Sequence, residues 1–168
     1  MFTVVRDYVF KFIREMNAEA DNATTRFMQD AKLDIPGGKI LEKVLRGLDD
    51  DELNLDNKEI MGDVYEYLLA KLSVNGTNGQ FRTPRHIIRM MVELMQPKLG
   101  EIISDPAMGS AGFLMETAKY IQEHQKSELN LKENRYAFNS LMFHGSDTDP
   151  DMLRIGTMNM TLHNVSNP

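Results

Sequence analysis

Residues 101–113 decide the fold of this chain and read EIISDPAMGSAGF. The apolar run at their start is typical of a short β-strand that ends in Asp105, and the glycine-bearing turn after it leads into a helical pattern. A second run, from Leu141 to Gly145, ends in the same way shortly before Asp147. Because another helical pattern follows at residues 150–163, the sequence predicts the order β-α-β-α, which opens an α/β sheet.

The part of the chain before these strands reads as helical. Apolar side chains at helical spacing predict helices over residues 1–20, 40–48 and 58–72 and between Pro84 and Pro97, with a break at Pro36-Gly37-Gly38. Residues 126–137 are polar and predict a surface loop. We therefore expect a helical domain over residues 1–78 and the first part of an α/β domain over residues 79–168.

Composition and charge exclude several classes of protein. The 168 residues contain no cysteine, which excludes a disulfide scaffold and a zinc ribbon. They contain no apolar stretch long enough for a membrane span and no signal peptide, so we expect a cytoplasmic protein. The net charge of −6 argues against coating DNA with the whole surface, although residues 79–99 are basic.

We expect no metal site. The four histidines show no metal-ligand spacing. The acidic run at residues 49–52 is most simply a solvated loop or helix end, because no second group of ligands accompanies it at a recognisable spacing.

The two strand ends are candidate parts of a cofactor site. Gly109 and Gly112 allow the backbone to approach a ligand closely, and the N-terminus of the following helix favours a carboxylate or phosphate. An acid placed like Asp147 commonly binds the ribose of an adenosine-containing cofactor. A tight turn explains the glycines equally well, and Asp147 by itself is more often a cap or turn residue, with Asp149 as a competing helix cap.

A third candidate lies just ahead of the first strand, at residues 79–86. Thr83 is a candidate N-cap and Pro84 suits the first turn of a helix, whose N–H groups could face a ligand. Phe81 could stack on an aromatic ring, and Arg82 and Arg85 could meet a DNA phosphate or a cofactor carboxylate. The simpler interpretation of this segment alone is a capped helix with exposed cations.

Three segments together resemble a known family. They are GDVYEYLLAKL at 62–72, NGQFRTPRHIIRMMVELMQPKLGEIISDPAMGSAGFL at 78–114, and HGSDTDPDMLRIGTMNMTLHNVSNP at 144–168. In order, they are similar to the helix before the cofactor site, to motifs X and I, and to the motif II region of the modification subunit of type I restriction–modification systems. This subunit is an adenine-N6 DNA methyltransferase. The resemblance implies a Rossmann-like domain, only partly present here, that binds S-adenosylmethionine.

The resemblance also implies which residues bind the cofactor. The segment around motif X would line it, the loop after the first strand would hold its methionine end, and Asp147 would hold its ribose. Ala111 stands where related enzymes often have glycine, and a methyl group is tolerated there if φ is negative. The implied cofactor-binding residues are Gln80, Phe81, Arg82, Thr83, Pro84, Arg85, Asp105, Ala107, Gly109, Ser110, Ala111, Gly112 and Asp147.

No catalytic residue is expected in this chain. The family uses an Asn/Asp-Pro-Pro-Tyr/Phe motif on a base that is flipped out of the duplex, and the sequence contains no such motif. Asn167-Pro168 is not its beginning, because no third or fourth strand precedes it. We therefore expect a fragment that is inactive alone. The family's partners are DNA and the specificity and restriction subunits.

Two other classes of function stay open at this point. The helices of residues 1–72 could form a non-enzymatic interaction module that binds a specificity subunit or DNA. A dehydrogenase is disfavoured, because a dinucleotide-binding domain begins with its strand, whereas the segment from Gln80 to Arg85 comes first here. The open edge of the small sheet also predicts a homodimer.

Overall fold

A computed structural model describes residues 1–15, 23–29, 31–50, 58–75 and 83–168, without the side chains of 23, 24, 27, 48–50, 58–60, 70 and 72–75. The chain forms two compact units, Met1–Asp56 and Asn57–Pro168. The sequence places a boundary after residue 78 instead. The two boundaries differ because the helix over 58–75 belongs to the second unit, where it packs on the last helix. The predicted division into domains stays a prediction.

The first unit is helical in its described part. The helix predicted over residues 1–20 is present up to Glu15, with a π-helical turn at Val5–Val9, and its predicted end lies outside the described residues. The next helix begins at Gly38, the last residue of the predicted break at Pro36-Gly37-Gly38. The side chains of the acidic run at 49–52 are not among those described. The helices are α1 (Phe2–Val4), α2 (Phe10–Glu15), α3 (Ala23–Met28) and α4 (Gly38–Asp50).

The second unit combines helices with a small parallel sheet. The two strands pair in register, Ile103 with Phe143 and Asp105 with Gly145, and a helical crossover joins them. This agrees with the predicted order β-α-β-α after the helical region. The elements are α5 (Lys58–Asn75), α6 (Arg85–Met95), β1 (Ile103–Asp105), α7 (Gly112–His124), α8 (Lys126–Leu129), α9 (Lys132–Ser140), β2 (Phe143–Gly145) and α10 (Pro150–Leu162).

The surface loop predicted at residues 126–137 is wrong, because α8 and α9 occupy it. The last turn of α9, just after this polar segment, contributes an aromatic side chain to the core. Phe138 on α9 is 2% exposed, and its ring meets that of Phe143 edge-on at a centroid distance of 5.3 Å. Burial of one aromatic side chain stabilises a short helix that has no apolar stripe of its own.

The core of the second unit surrounds α7. Its apolar side chains pack against both strands and α6, and α10 lies against α5 and α7. None of the helices within the described ranges has the length and apolar character needed to cross a membrane. The buried core residues are Met108, Ala111, Leu114, Met115, Ala118, Ile121, Phe138, Met142, Phe143, Met160 and Val165.

Candidate functional site

The carboxyl ends of β1 and β2 lie side by side, and the segments that follow them are hydrogen-bonded to each other. The Ser146 N–H donates to the Asp105 carbonyl at 2.9 Å, and the Met108 N–H donates to the Ser146 carbonyl at 2.9 Å. In open α/β sheets, ligands bind beyond the carboxyl ends of the strands. The register of the sheet thus brings the two candidate strand ends together, as the sequence predicts.

Asp147 joins the two segments through its carboxylate. Its Oδ2 accepts a hydrogen bond from the Gly109 N–H at 2.9 Å, and its Oδ1 accepts one from the Asp149 N–H at 2.9 Å. The pKa of Asp147 lies below its ordinary value, because the N–H groups of Asp149 and Gly109 stabilise the charged form. Asp147 is therefore an anion at neutral pH. Asp149, the competing cap residue, does cap α10, since its Oδ1 accepts from the Asp151 N–H at 2.9 Å.

The turn between β1 and α7, residues 106–111, has two residues in the left-handed region. Gly109 has φ = 52° and Ala111 has φ = 62°. The condition under which a methyl group is readily tolerated at residue 111, a negative φ, is therefore not met. A left-handed conformation costs an L-residue about 1–2 kcal/mol. The Ala111 methyl group is packed, since the residue is 0% exposed and its Cβ lies 3.3 Å from the position a Cβ on Gly156 would take.

Met108 explains how the turn is held on the sheet and on α10. A Cβ added to Gly145 would overlap its Sδ, and a Cβ added to Gly156 would lie 2.7 Å from its Cε. The Met108 side chain therefore fills the space left by two glycines on different elements. These glycines are needed for close packing, and neither has a positive φ.

The start of α6 forms a second part of the site. The helix begins at Arg85 with Pro84 as its N-cap and no side-chain cap bond, so the prediction of Thr83 as the N-cap is wrong. Pro84 presents its carbonyl to the Ile87 N–H at 2.9 Å, which closes the first turn without a hydroxyl. The Arg85 Nε lies 3.9 Å from Glu116 Oε2, so this cation is drawn towards α7.

A cavity of about 900 Å³ lies between these parts. Its size suits a nucleoside-sized ligand. Ala111 is a buried residue of the turn and does not line the cavity, and Gln80, Phe81 and Arg82 lie outside the described residues. Of the residues expected at the cofactor, those that line the cavity are Thr83, Pro84, Arg85, Asp105, Ala107, Gly109, Ser110, Gly112 and Asp147.

Sequence reasoning missed the wall that α5 contributes to this cavity. Asp63, Glu66 and Tyr67 line it, and their spacing of three and four residues puts them on one face of the helix. That spacing was the signal in the sequence for such a wall, but the same spacing is common on helices that face solvent. Five further lining residues were not predicted, namely Ile88, Met108, Phe113, Met115 and Met152.

The charge around the cavity is mostly negative. Asp63, Glu66, Asp105 and Asp147 line it, against the one lining cation Arg85 among the residues the structure describes. The Asp63 Oδ1 is paired with Lys119 Nζ at 3.3 Å, and the Asp105 Oδ1 accepts from the Ala107 N–H at 3.1 Å. No group of three metal-ligating side chains occurs in the described part of the chain. The arrangement favours a ligand with positive charge and hydroxyl donors.

Comparison with known proteins assigns the family. The model of the N-6 DNA methylase family matches residues 56–168. The chain belongs to the N-6 DNA methylase family. The match covers the whole second unit, including α5. Together with the type I relatives described next, it confirms the resemblance to type I modification subunits that the motifs carry.

Methylase subunits of type I restriction enzymes are similar to this chain. The HindI methylase subunit of Haemophilus influenzae is 29% identical over 147 residues, which cover 78% of this chain and 31% of that protein. The StySPI methylase subunit of Salmonella potsdam is 30% identical over 158 residues, which cover 89% of this chain and 30% of that protein. The chain spans about a third of the length of these relatives.

A solved structure shares the fold. A chain of a type I R-M system, solved to explain its complex assembly and conformational transition, superposes with a TM-score of 0.70 and 26% identity. The match covers 99% of this chain and 34% of the other. The mixed helical architecture with a small parallel sheet is therefore that of a type I R-M chain.

Proposed function

We propose that this chain supplies the S-adenosylmethionine-binding part of a type I adenine-N6 DNA methyltransferase, within a Rossmann-like domain that β1 and β2 begin. The proposal rests on the hydrogen bond that joins the segments after the two strands. Gly109 and Asp147, 38 residues apart, are hydrogen-bonded at the rim of a cavity of about 900 Å³. Family membership over residues 56–168 favours this function over a non-enzymatic interaction module.

The carboxylate of Asp147 is suited to hold the ribose. Its oxygens accept the N–H groups of Gly109 and Asp149, the Thr148 N–H also stabilises the charge, and a carboxylate offers about four acceptor positions in all. At least one position therefore remains to accept a bond from a ribose hydroxyl. Because the pKa of Asp147 is lowered by the same backbone bonds, the acceptor stays charged at neutral pH.

The turn and the helix starts are suited to hold the methionine end. The cofactor carries an ammonium and a sulfonium group, which the carboxylates of Asp105 and Asp63 can balance at the cavity. Its carboxylate suits the N-terminus of α7, beginning at Gly112, and the guanidinium of Arg85. When bound, S-adenosylmethionine supplies the methyl group.

The DNA-facing chemistry requires residues that this sequence does not contain. No Asn/Asp-Pro-Pro-Tyr/Phe motif occurs in the 168 residues. Asn167 and Pro168 do not line the cavity, and the Asn167 N–H donates to the Asn139 carbonyl on α9 at 3.0 Å. We expect the chain to bind cofactor without transferring a methyl group by itself. DNA and the specificity and restriction subunits are the proposed partners of the whole protein.

Calorimetric titration with S-adenosylmethionine tests the proposal, with Asp147→Ala compared with Asp151→Ala. Both variants lose one carboxylate, but Asp151 does not line the cavity. We expect the Asp147→Ala variant to bind at least about tenfold more weakly, since a charged acceptor is lost, and the Asp151→Ala variant to bind like the parent. Absence of binding by the parent chain, or equal affinity of the two variants, would contradict the proposed site.

A further inference from the structure

Asn159 on α10 lies at the centre of a buried polar cluster that joins three elements. It is 0% exposed. Its Nδ2 donates to Glu66 Oε1 on α5 at 2.6 Å and to the Ser110 carbonyl in the turn at 2.8 Å. Both partners are acceptors only, so the amide nitrogen of Asn159, and not its oxygen, must face them.

The Ser110–Ala111 peptide is held from both sides. Its carbonyl accepts from Asn159 Nδ2, and its N–H donates to the Met108 carbonyl at 2.7 Å. The next backbone torsion along the chain is φ of Ala111, which has the unfavourable value of 62° directly before α7. A backbone in such a region persists only when its surroundings over-determine it. The two hydrogen bonds provide that constraint.

We propose that Glu66 and Asn159 are positioning residues that set the Ser110–Ala111 peptide, and with it the N-terminus of α7, in the geometry that binds the cofactor. Glu66 orients the Asn159 amide, and Asn159 holds the turn. The inference rests on the proposed function for its ligand. It goes beyond that function by making α5, far from the strands in sequence, a determinant of cofactor affinity.

The competing explanation is that the cluster only fastens α5 to α10. Tyr65 offers a matched control, because its Oη donates to the Ile155 carbonyl on α10 at 3.4 Å and it does not line the cavity. A Tyr65→Phe variant removes a bond between the same two helices without touching the turn. It should lower thermal stability and leave cofactor affinity as in the parent.

The main variants are Asn159→Asp and the double variant Glu66→Gln/Asn159→Asp, in which the amide and the carboxylate trade positions. In the single variant a carboxylate faces Glu66, and residue 159 no longer donates to the Ser110 carbonyl. In the double variant, the amide of residue 66 can donate to the new carboxylate, so the bond between α5 and α10 is remade, whereas the bond from residue 159 to the Ser110 carbonyl is not. The double variant therefore restores the bond between α5 and α10 without restoring the contact that positions the turn.

Two measurements are made on the same chain, S-adenosylmethionine affinity by calorimetry and amide hydrogen exchange by NMR. We expect Asn159→Asp to weaken binding at least about tenfold and to accelerate exchange at Gly109 and Ala111. Exchange at Ser146, bonded to the Asp105 carbonyl just beyond the strand ends, should change little. The double variant should regain thermal stability. It should recover neither the affinity for S-adenosylmethionine nor the slow hydrogen exchange of the turn.

The positioning role is overturned if the double variant recovers parental affinity, or if Tyr65→Phe weakens binding as much as Asn159→Asp. It is also overturned if exchange at Gly109 and Ala111 is the same in Asn159→Asp and the parent. If the parent chain binds no cofactor, the proposed function fails, and the exchange rates still decide whether Asn159 holds the turn.

Discussion

Replacement of Gly145 by alanine should disrupt the packing that holds the turn on the sheet. The new Cβ would overlap the Sδ of Met108 and lie 3.2 Å from Leu114 Cδ1. The strand itself leaves little room to move, since Gly145 pairs with Asp105 in the sheet. The Met108 side chain, which is 9% exposed, must therefore be displaced from beside Gly145.

The cost follows from what Met108 loses. Moving a buried methionine side chain into water costs about 1.5–3 kcal/mol, so Gly145→Ala should be destabilised by that amount. Met108→Ala alone should cost about 2–5 kcal/mol, because it leaves a cavity. In the double variant the new methyl group occupies space that Met108 has vacated, so the pair should cost no more than Met108→Ala.

Urea unfolding of the four proteins of this double-mutant cycle measures the coupling. We expect the double variant to be more stable than the sum of the single changes predicts, by about 1.5–3 kcal/mol. Additive effects would show that Met108 does not occupy the space beside Gly145. Gly47→Ala on α4 is a control for generic effects, because a Cβ there meets nothing within 4 Å.

Three further changes test local features. Gln96 ends α6 at φ = 49° and is exposed, so Gln96→Gly should stabilise the protein by about 1 kcal/mol in thermal unfolding, and a lower melting temperature would refute the strain. Asp149→Ala should cost about 1 kcal/mol through the lost cap of α10, whereas Asp149→Asn should cost little; equal losses would exclude capping as the cause. Burial lowers the pKa of His163, so folding favours its neutral form, and stability should fall as pH drops below about 6.5. His163→Gln should remove this part of the pH dependence, and an unchanged profile would contradict it.

The cause of the His163 effect lies in its surroundings. The imidazole is buried, its Nδ1 lies 2.8 Å from the Asn159 carbonyl, and a Cβ on Gly62 would lie 2.8 Å from its Nε2. Lys119 lowers the pKa further, while the Asn159 bond and Glu66 oppose the shift. A proton added to Nε2 would be a buried charge without a partner.

The sequence by itself determined the strand ends, the turn between β1 and α7 and the family. These features are local, since an apolar run, an acid and closely spaced glycines act within about ten residues of one another. The cavity-lining positions at Asp105, Gly109 and Asp147 followed directly, because parallel strands bring their carboxyl ends to one edge. The helices α8 and α9 did not follow, because their segment is polar and the contacts of Leu129 and Phe138 with the core form only in the folded unit.

Only the tertiary structure decided what holds the turn. Glu66 and Asn159 are 93 residues apart, and no local spacing joins them to each other or to Ser110. The left-handed conformation of Ala111 likewise contradicts the preference of its residue type, because hydrogen bonds from Asn159 and to Met108 outweigh it. Local preferences are worth about 1 kcal/mol per residue, so contacts between distant segments can override them.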